Sequence, residues 1–248
     1  MSFNEADLYD IFETKNEILH SKINDFLCDF FFKRNIIDII DFSCGTGAQS
    51  IRFSKSGFNV TAVDNSKEFI KKAKEKSGNL NINYHTGNMC ESYFGEFNAC
   101  ITILNTIAIL SKKDFEIALT NISNQLTKNG FFVFDCTNRQ NLSYSFYKDK
   151  FIETSSEIGT KKIVRFVKGN FNEETGIAKW DWEVFIQDGL APLIEKKGAW
   201  VRQTYTAEET KRILTDHGFK ILELTDRNLV PFDMNNSAAY LIIAQKEE

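Results

Sequence analysis

The stretch Asp38-Ile-Ile-Asp-Phe-Ser-Cys-Gly-Thr-Gly47 decides the fold of this chain. The apolar run from Ile36 to Phe42, broken only by Asp38 and Asp41, predicts a fully buried strand. It stops at a turn where Gly45 and Gly47 let the backbone approach a ligand closely. Asp41 lies at the carboxyl end of that strand, and open α/β sheets bind ligands in the crevice beyond their strand ends. A strand, a glycine turn and a helix also occur as plain packing. Two glycines beside a buried acid favour a nucleotide-type site.

Downstream of the turn, Ile51 and Phe53 to Phe58 suit a helix ended by Gly57. Phe58-Asn-Val-Thr-Ala-Val-Asp64 reads as a second strand ending in an acid, 17 positions beyond Gly47. In a βαβ unit a carboxylate at that tip can accept hydrogen bonds from both ribose hydroxyls. The competing role is a helix N-cap, for which Ser66 is better placed. Leu80 to His85 reads as a third strand. Asn88 follows it, with both an acceptor and a donor to offer an adenine edge. His85 could serve as a base, although a histidine at a strand end more often holds structure through a hydrogen bond.

Phe97 to Leu104 predicts a fourth strand, Asp114 to Leu126 a helix, and Phe131 to Cys136 a fifth strand with Asp135 near its end. Strands alternating with helices from Ile36 to Cys136 give an α/β fold with a parallel, doubly wound sheet. Residues 161–205 change character. Three strand-like runs separated by Glu-Thr-Gly176 and Asp188-Gly189 predict a three-stranded antiparallel insertion. Trp180 and Trp182 share one face of it, and Trp200 lies on its third run. Thr206 and Glu209 form a capping-box pattern opening a last helix, after which two strands complete the sheet. Ahead of the first strand, Ile11, Phe12, Ile23, Phe26, Leu27 and Phe30 recur at helical spacing. They predict one or two helices that cover the sheet, or that carry Tyr9 as a flap over the ligand.

The expected organisation is therefore N-terminal helices over residues 1–34, an α/β core over 35–145, an antiparallel lid over 146–205, and 206–248 completing the core. A length of 248 residues suffices to bury a core without disulfides or metals. The net charge of −4, with lysines and glutamates intermixed, argues against a dedicated nucleic-acid or anionic-membrane surface. The five cysteines are dispersed without CxxC spacing, so no metal site is expected and a reducing compartment is. No apolar run reaches the ~20 residues of a membrane span, and no signal peptide is read at the start. A cytoplasmic location follows as the expectation.

Asp-Phe-Ser-Cys-Gly-Thr-Gly, then Val-Asp-Asn-Ser, Gly-Asn-Met and Phe-Asn-Ala-Cys-Ile-Thr together resemble the class I S-adenosylmethionine-dependent methyltransferases. The insertion is similar to that of small-molecule N-methyltransferases. The resemblance implies a Rossmann-like sheet of seven strands with the final strand antiparallel. It also implies S-adenosylmethionine as cofactor and S-adenosylhomocysteine as product. By motif, Asp41, Gly45 and Gly47 would line the methionine and ribose part, Asp64 would hold the ribose, and Asn65 would flank the adenine. Asn88 and Met89 would sit at the adenine edge, and the Leu104 backbone near the methionine amine. The chain departs from the family at Ser43, where Gly or Ala is usual, and at Asn88, often Asp.

A nicotinamide-dependent dehydrogenase would need a third glycine where Ser50 stands. A protein that binds the cofactor or its product without catalysis is the other alternative. The expected reaction is methyl transfer to a small molecule, an amine for preference and a hydroxyl otherwise, by a monomer or homodimer. A hydroxyl acceptor would require a base, with His85, Asp135 and Tyr9 as candidates. Tyr9, Trp180, Trp182, Arg202 and Tyr205 are candidates for the acceptor pocket. Arg202 favours an acceptor with a carboxylate or phosphate, a surface ion pair being the alternative.

Overall fold

A computed structural model describes residues 5–13, 17–142 and 151–247. Two helices, α1 (Glu5–Glu13) and α2 (Glu17–Phe32), precede the first strand, β1 (Asp38–Phe42). Helix α3 (Ala48–Lys55), β2 (Asn59–Asp64), α4 (Lys67–Ser77), β3 (Ile82–Thr86), β4 (Phe97–Thr102), α5 (Lys112–Gln125) and β5 (Leu126–Thr137) follow in alternation. After a second sheet, α6 (Ala207–Asp216), β10 (Phe219–Asp226) and β11 (Ala239–Lys246) close the chain.

The main sheet has the order β10-β11-β5-β4-β1-β2-β3. Strands β1 to β5 run parallel, and β11 enters antiparallel between β5 and β10. This is the seven-stranded arrangement that the resemblance implied. β1 is an inner strand, buried from Ile39 to Phe42, as an apolar run in a sheet covered on both faces must be. On one face Ile39, Val60, Ile101 and Leu241 meet Ile23, Leu27 and Phe31 of α2 and Phe53 of α3. On the other face Ile40, Phe42, Phe134 and Ile242 meet Phe115 and Leu119 of α5 and Leu214 of α6. The cap chemistry acts as its residue types dictate. Ser66 accepts the Phe69 N–H at the start of α4, and Thr206 with Glu209 forms a reciprocal capping box on α6.

The insertion differs from its expected form. It has four antiparallel strands, β6 (Phe151–Ile158), β7 (Lys161–Asn172), β8 (Ile177–Asp188) and β9 (Ile194–Gln203), in that order. The added strand, β6, is rich in Ser, Thr and Glu and carries little apolar alternation. The expected junction at 145/146 lies outside the described residues. One face of the second sheet is set by register: Arg165 pairs with Val184, and Trp182 pairs with Gly198. Paired residues of antiparallel strands point the same way. Arg165, Val184, Trp182, Trp200 and Arg202 therefore share that face.

The two expectations for the N-terminal helices divide between them. α2 covers the main sheet, whereas α1 reaches over the carboxyl ends of its strands. Three contacts fasten α1 there: Asp7 to Lys72 at 2.6 Å, Asp10 to Lys76 at 3.0 Å, and the Thr46 hydroxyl donating to Asp10 at 2.5 Å.

Candidate active site

At the carboxyl ends of β1, β2 and β4 lies a cleft of about 460 Å³, within the ~300–1,000 Å³ usual for small-ligand pockets. Ser43, Gly45, Asp64, Asn65, Asn88, Met89 and Leu104 all line it, together with Tyr9. The sequence had nominated every one of these, Gly45, Asp64, Asn88 and Tyr9 from their own patterns and Ser43, Asn65, Met89 and Leu104 through the family resemblance. Asp64 is 8 % exposed. Its two oxygens accept the Gly45 N–H at 3.0 Å and the Ser66 N–H at 2.9 Å. Burial raises its pKa, and those two backbone bonds oppose the rise.

Asp41 and Gly47 stand behind the cleft rather than on it. Asp41 is buried and accepts the Ser50 hydroxyl of α3. Burial is the main reason its pKa is pushed up to about 7, with the Ser50 bond opposing and the Asp64 charge adding to the rise. Gly47 has φ +88°, and a Cβ there would crowd the Tyr84 hydroxyl at 3.0 Å and Ala73 at 3.1 Å. Its need for glycine comes from the close seating of α3 against α4 and β3. Ser43 has φ 59°, the left-handed region that L side chains enter at a cost. A glycine there would be free of that cost. Leu104 (φ 69°) and Asn105 (φ 58°) repeat this strain at the tip of β4. Asn105 is braced by its N–H to Asp135 at 2.9 Å and by its side-chain oxygen, which accepts the Thr137 N–H at 2.9 Å.

Asn88 lines the cleft, but its side-chain oxygen already accepts the Cys90 N–H at 3.0 Å. Its amide donors and the oxygen's second lone pair are left to face a ligand.

The base candidates fare differently. Asp135 is fully buried and pairs with Arg227 at 2.9 Å. His85 is exposed because β3 is an edge strand, and it packs on the Phe94 ring at 4.9 Å. Neither lines the cleft. Tyr9 does, seated edge-on against Phe69 at 5.3 Å and close to Gly45.

A second chamber of about 300 Å³ adjoins the cleft, between α1 and the second sheet. Tyr9, Phe69, Trp200 and Arg202 line both cavities and so form a shared wall. Trp182, Arg165 and Phe12 line the chamber alone. Of the acceptor-pocket candidates, Tyr9, Trp182 and Arg202 are thus brought together. Trp180 shares the face of Trp182 but lines neither cavity. Tyr205 belongs to the core: it is fully buried against Phe115 at 5.6 Å, with burial pushing its hydroxyl pKa up. The residues missed are Trp200, Phe69, Phe12 and Arg165. Arg165 was detectable, because it alternates in phase with the buried Ile163 and Val167.

Comparison with known proteins agrees with this geometry. A methyltransferase-domain family matches residues 39–130. The chain carries a methyltransferase domain. The domain spans β1, the glycine turn and the strands up to the start of β5. A protein of Geobacillus sp. (strain WCH70), named provisionally as a methyltransferase, is 27% identical over 193 residues, 75% of each chain. An S-adenosylmethionine-dependent methyltransferase from Clostridium acetobutylicum ATCC 824 superposes with TM-score 0.82 at 18% identity, covering 97% of this chain and 100% of its own. The sugar N-methyltransferase KedS8 of Streptoalloteichus sp. ATCC 53650 does so with TM-score 0.78 at 16% identity, covering 100% and 96%. Residues 39–130 thus match a methyltransferase domain, and the whole chain has the fold of solved methyltransferases that use S-adenosylmethionine as cofactor.

The cleft suits such a cofactor. It offers a buried carboxylate, a polar strip at Asn65 and Asn88, and an apolar wall at Phe42, Met89 and Ile103. Among the described residues no helix is long and apolar enough to cross a membrane.

Proposed function

We propose that this methyltransferase acts on a small-molecule amine. Asp64 holds the ribose hydroxyls, Asn65, Asn88 and Met89 surround the adenine, and Leu104 and Gly45 meet the methionine end, with Ser43 beside them. Asp41 and Gly47 act from behind, by fixing α3 against the turn. The antiparallel insertion acts as the lid, since its inner face and α1 enclose the second chamber.

The observation that carries the choice of an amine is the character of that chamber. Among the described residues none that lines it is Asp, Glu or His, and the two strongest base candidates are engaged or turned elsewhere. A hydroxyl acceptor needs a base to take its proton in the transition state. A neutral amine is nucleophilic as it stands and sheds its proton to water afterwards.

Bound in the cleft, S-adenosylmethionine supplies an electrophilic methyl on a sulfonium. The chain's own contribution is to position the amine in line with that methyl across the shared wall, and to exclude water with Tyr9, Trp182 and Trp200. Positioning of this kind lowers barriers by up to ~7–11 kcal/mol. The similarity to a sugar N-methyltransferase supports the same reading. O-methylation remains the second reading, with Tyr9 as the ionisable side chain on the shared wall.

Calorimetry with S-adenosylmethionine, S-adenosylhomocysteine and NAD tests the cofactor. Binding of NAD alone overturns the reading. A methyl-transfer screen over matched amines and alcohols then tests the acceptor. Turnover confined to alcohols refutes the amine, and cofactor binding with no turnover favours a non-catalytic role.

A further inference from the structure

Within the chamber Arg202 has no counter-charge among the described residues. Arg202 is half-buried, and one of its terminal nitrogens donates to the Val201 carbonyl at 3.0 Å. Among the described residues it makes no ion pair with a carboxylate, so the surface ion pair weighed as an alternative is not formed. Burial lowers its pKa. Its side chain lines both this chamber and the cofactor cleft, with further guanidinium donors to offer a ligand.

A second guanidinium, that of Arg165, lines the same chamber, with its carbon 3.9 Å from the Phe12 ring centroid and 5.4 Å from that of Trp200. Among the described residues no acid lines the chamber beside Arg202. Aromatic and aliphatic side chains make up the remainder. A half-buried cation without a counter-ion carries a desolvation cost that a bound anion would offset.

We propose that the acceptor carries an anionic group, a carboxylate or a phosphate, seated on Arg202 with Arg165 beside it, and an apolar body lying against Trp182 and Trp200. This rests on the chamber being the acceptor site. The planar fork of arginine suits both anions through paired hydrogen bonds.

The experiment uses the full chain loaded with S-adenosylhomocysteine. Binding of benzoate, phenyl phosphate and neutral benzamide is followed by the fluorescence of Trp182 and Trp200. Benzoate or phenyl phosphate should bind about tenfold or more tightly than benzamide, as expected for hydrogen bonds to a charged group. The better of the two identifies the anion. Arg202→Gln should erase the gap, Arg202→Lys should restore part of it, and both should keep S-adenosylhomocysteine affinity within about threefold, the small change expected where the charged bond is made to another ligand.

Failure of S-adenosylhomocysteine to bind the unaltered chain would undo the cofactor reading itself. Binding of S-adenosylhomocysteine without any preference for the anionic probes would overturn only the present proposal. So would a preference that survives Arg202→Gln. A loss of S-adenosylhomocysteine affinity larger than the loss of benzoate affinity would also overturn it, by assigning Arg202 to the cofactor's own carboxylate.

Discussion

Replacing Asp64 by alanine separates what the carboxylate does for the fold from what it does for the cofactor. In the free protein Asp64 accepts two backbone N–H groups, from Gly45 and Ser66. Each donor left without a partner costs about 1–3 kcal/mol if buried, and less if water reaches it. The cleft is open to water, so the low end applies to both and the sum is about 2 kcal/mol. For a chain of this size that lowers Tm by roughly 4–8 °C.

Loss of the raised pKa of Asp64 returns a little of that stability near neutral pH, because the native site no longer buries a carboxylate. The cofactor loses at least one charge-assisted hydrogen bond from its ribose, about 1.5–3 kcal/mol, or roughly 10- to 150-fold in Kd. Scanning calorimetry gives Tm, and titration calorimetry with S-adenosylhomocysteine gives Kd well below the transition. A fall in Tm with Kd unchanged within twofold would refute the ribose role and leave Asp64 as a brace for the glycine turn alone.

Further outcomes follow from other residues. Ser43→Gly should raise stability by up to about 1.5 kcal/mol. It relieves ~1–2 kcal/mol of left-handed strain and gives back ~0.4–1 in unfolded-chain entropy. A clear fall in the urea midpoint would show that the hydroxyl makes a bond worth more than the strain. Asp41 has a native pKa of about 7 against the ordinary 3.8. Between those values the native state keeps a proton that the unfolded chain has released, so the contribution of Asp41 to stability falls as pH rises and levels off above 7. Asp41→Asn should therefore gain on the unaltered protein between pH 4 and 7 in urea denaturation. A difference independent of pH would sink the assignment. Asp10→Asn weakens the fastening of α1 to Thr46 and Lys76. It should speed hydrogen exchange across Glu5–Glu13 while global stability changes by about 1 kcal/mol or less. Unchanged exchange in that segment would show that α1 is held by its apolar contacts.

Local chemistry made most of the cofactor cleft legible. The strand before Ser43, the acid ending β2 and the polar residue after β3 are fixed by short-range patterns, and a parallel sheet gathers strand ends without further information. Where long-range pairing decides, spacing says nothing. Asp135 looks like a free acid until Arg227 comes to it from beyond β10. His85 looked like a residue at a buried strand end, but strand order places β3 at the sheet edge. Tyr205 reads in the sequence as the end of the third insertion strand and so as a lid residue. β9 stops at Gln203, Thr204 bonds the Gly176 carbonyl through both its hydroxyl and its N–H, and Tyr205 turns into the main core. Trp200 joins the wall because Gly198 opposite Trp182 has no Cβ. A Cβ there would run into the Trp182 ring, which instead lies 5.8 Å from Trp200.

Tyr9, Phe69, Trp200 and Arg202 belong to both cavities at once, and this has a thermodynamic meaning. Two ligands that press on the same side chains do not bind independently. Whatever factor the first gains or loses from the second, the second gains or loses from the first. α1 contributes Tyr9 and is fastened through Thr46 to the glycine turn, so a ligand filling the cleft bears on the wall of the chamber beside it. Reciprocal affinity between the two cavities is thereby built into one partition of four side chains.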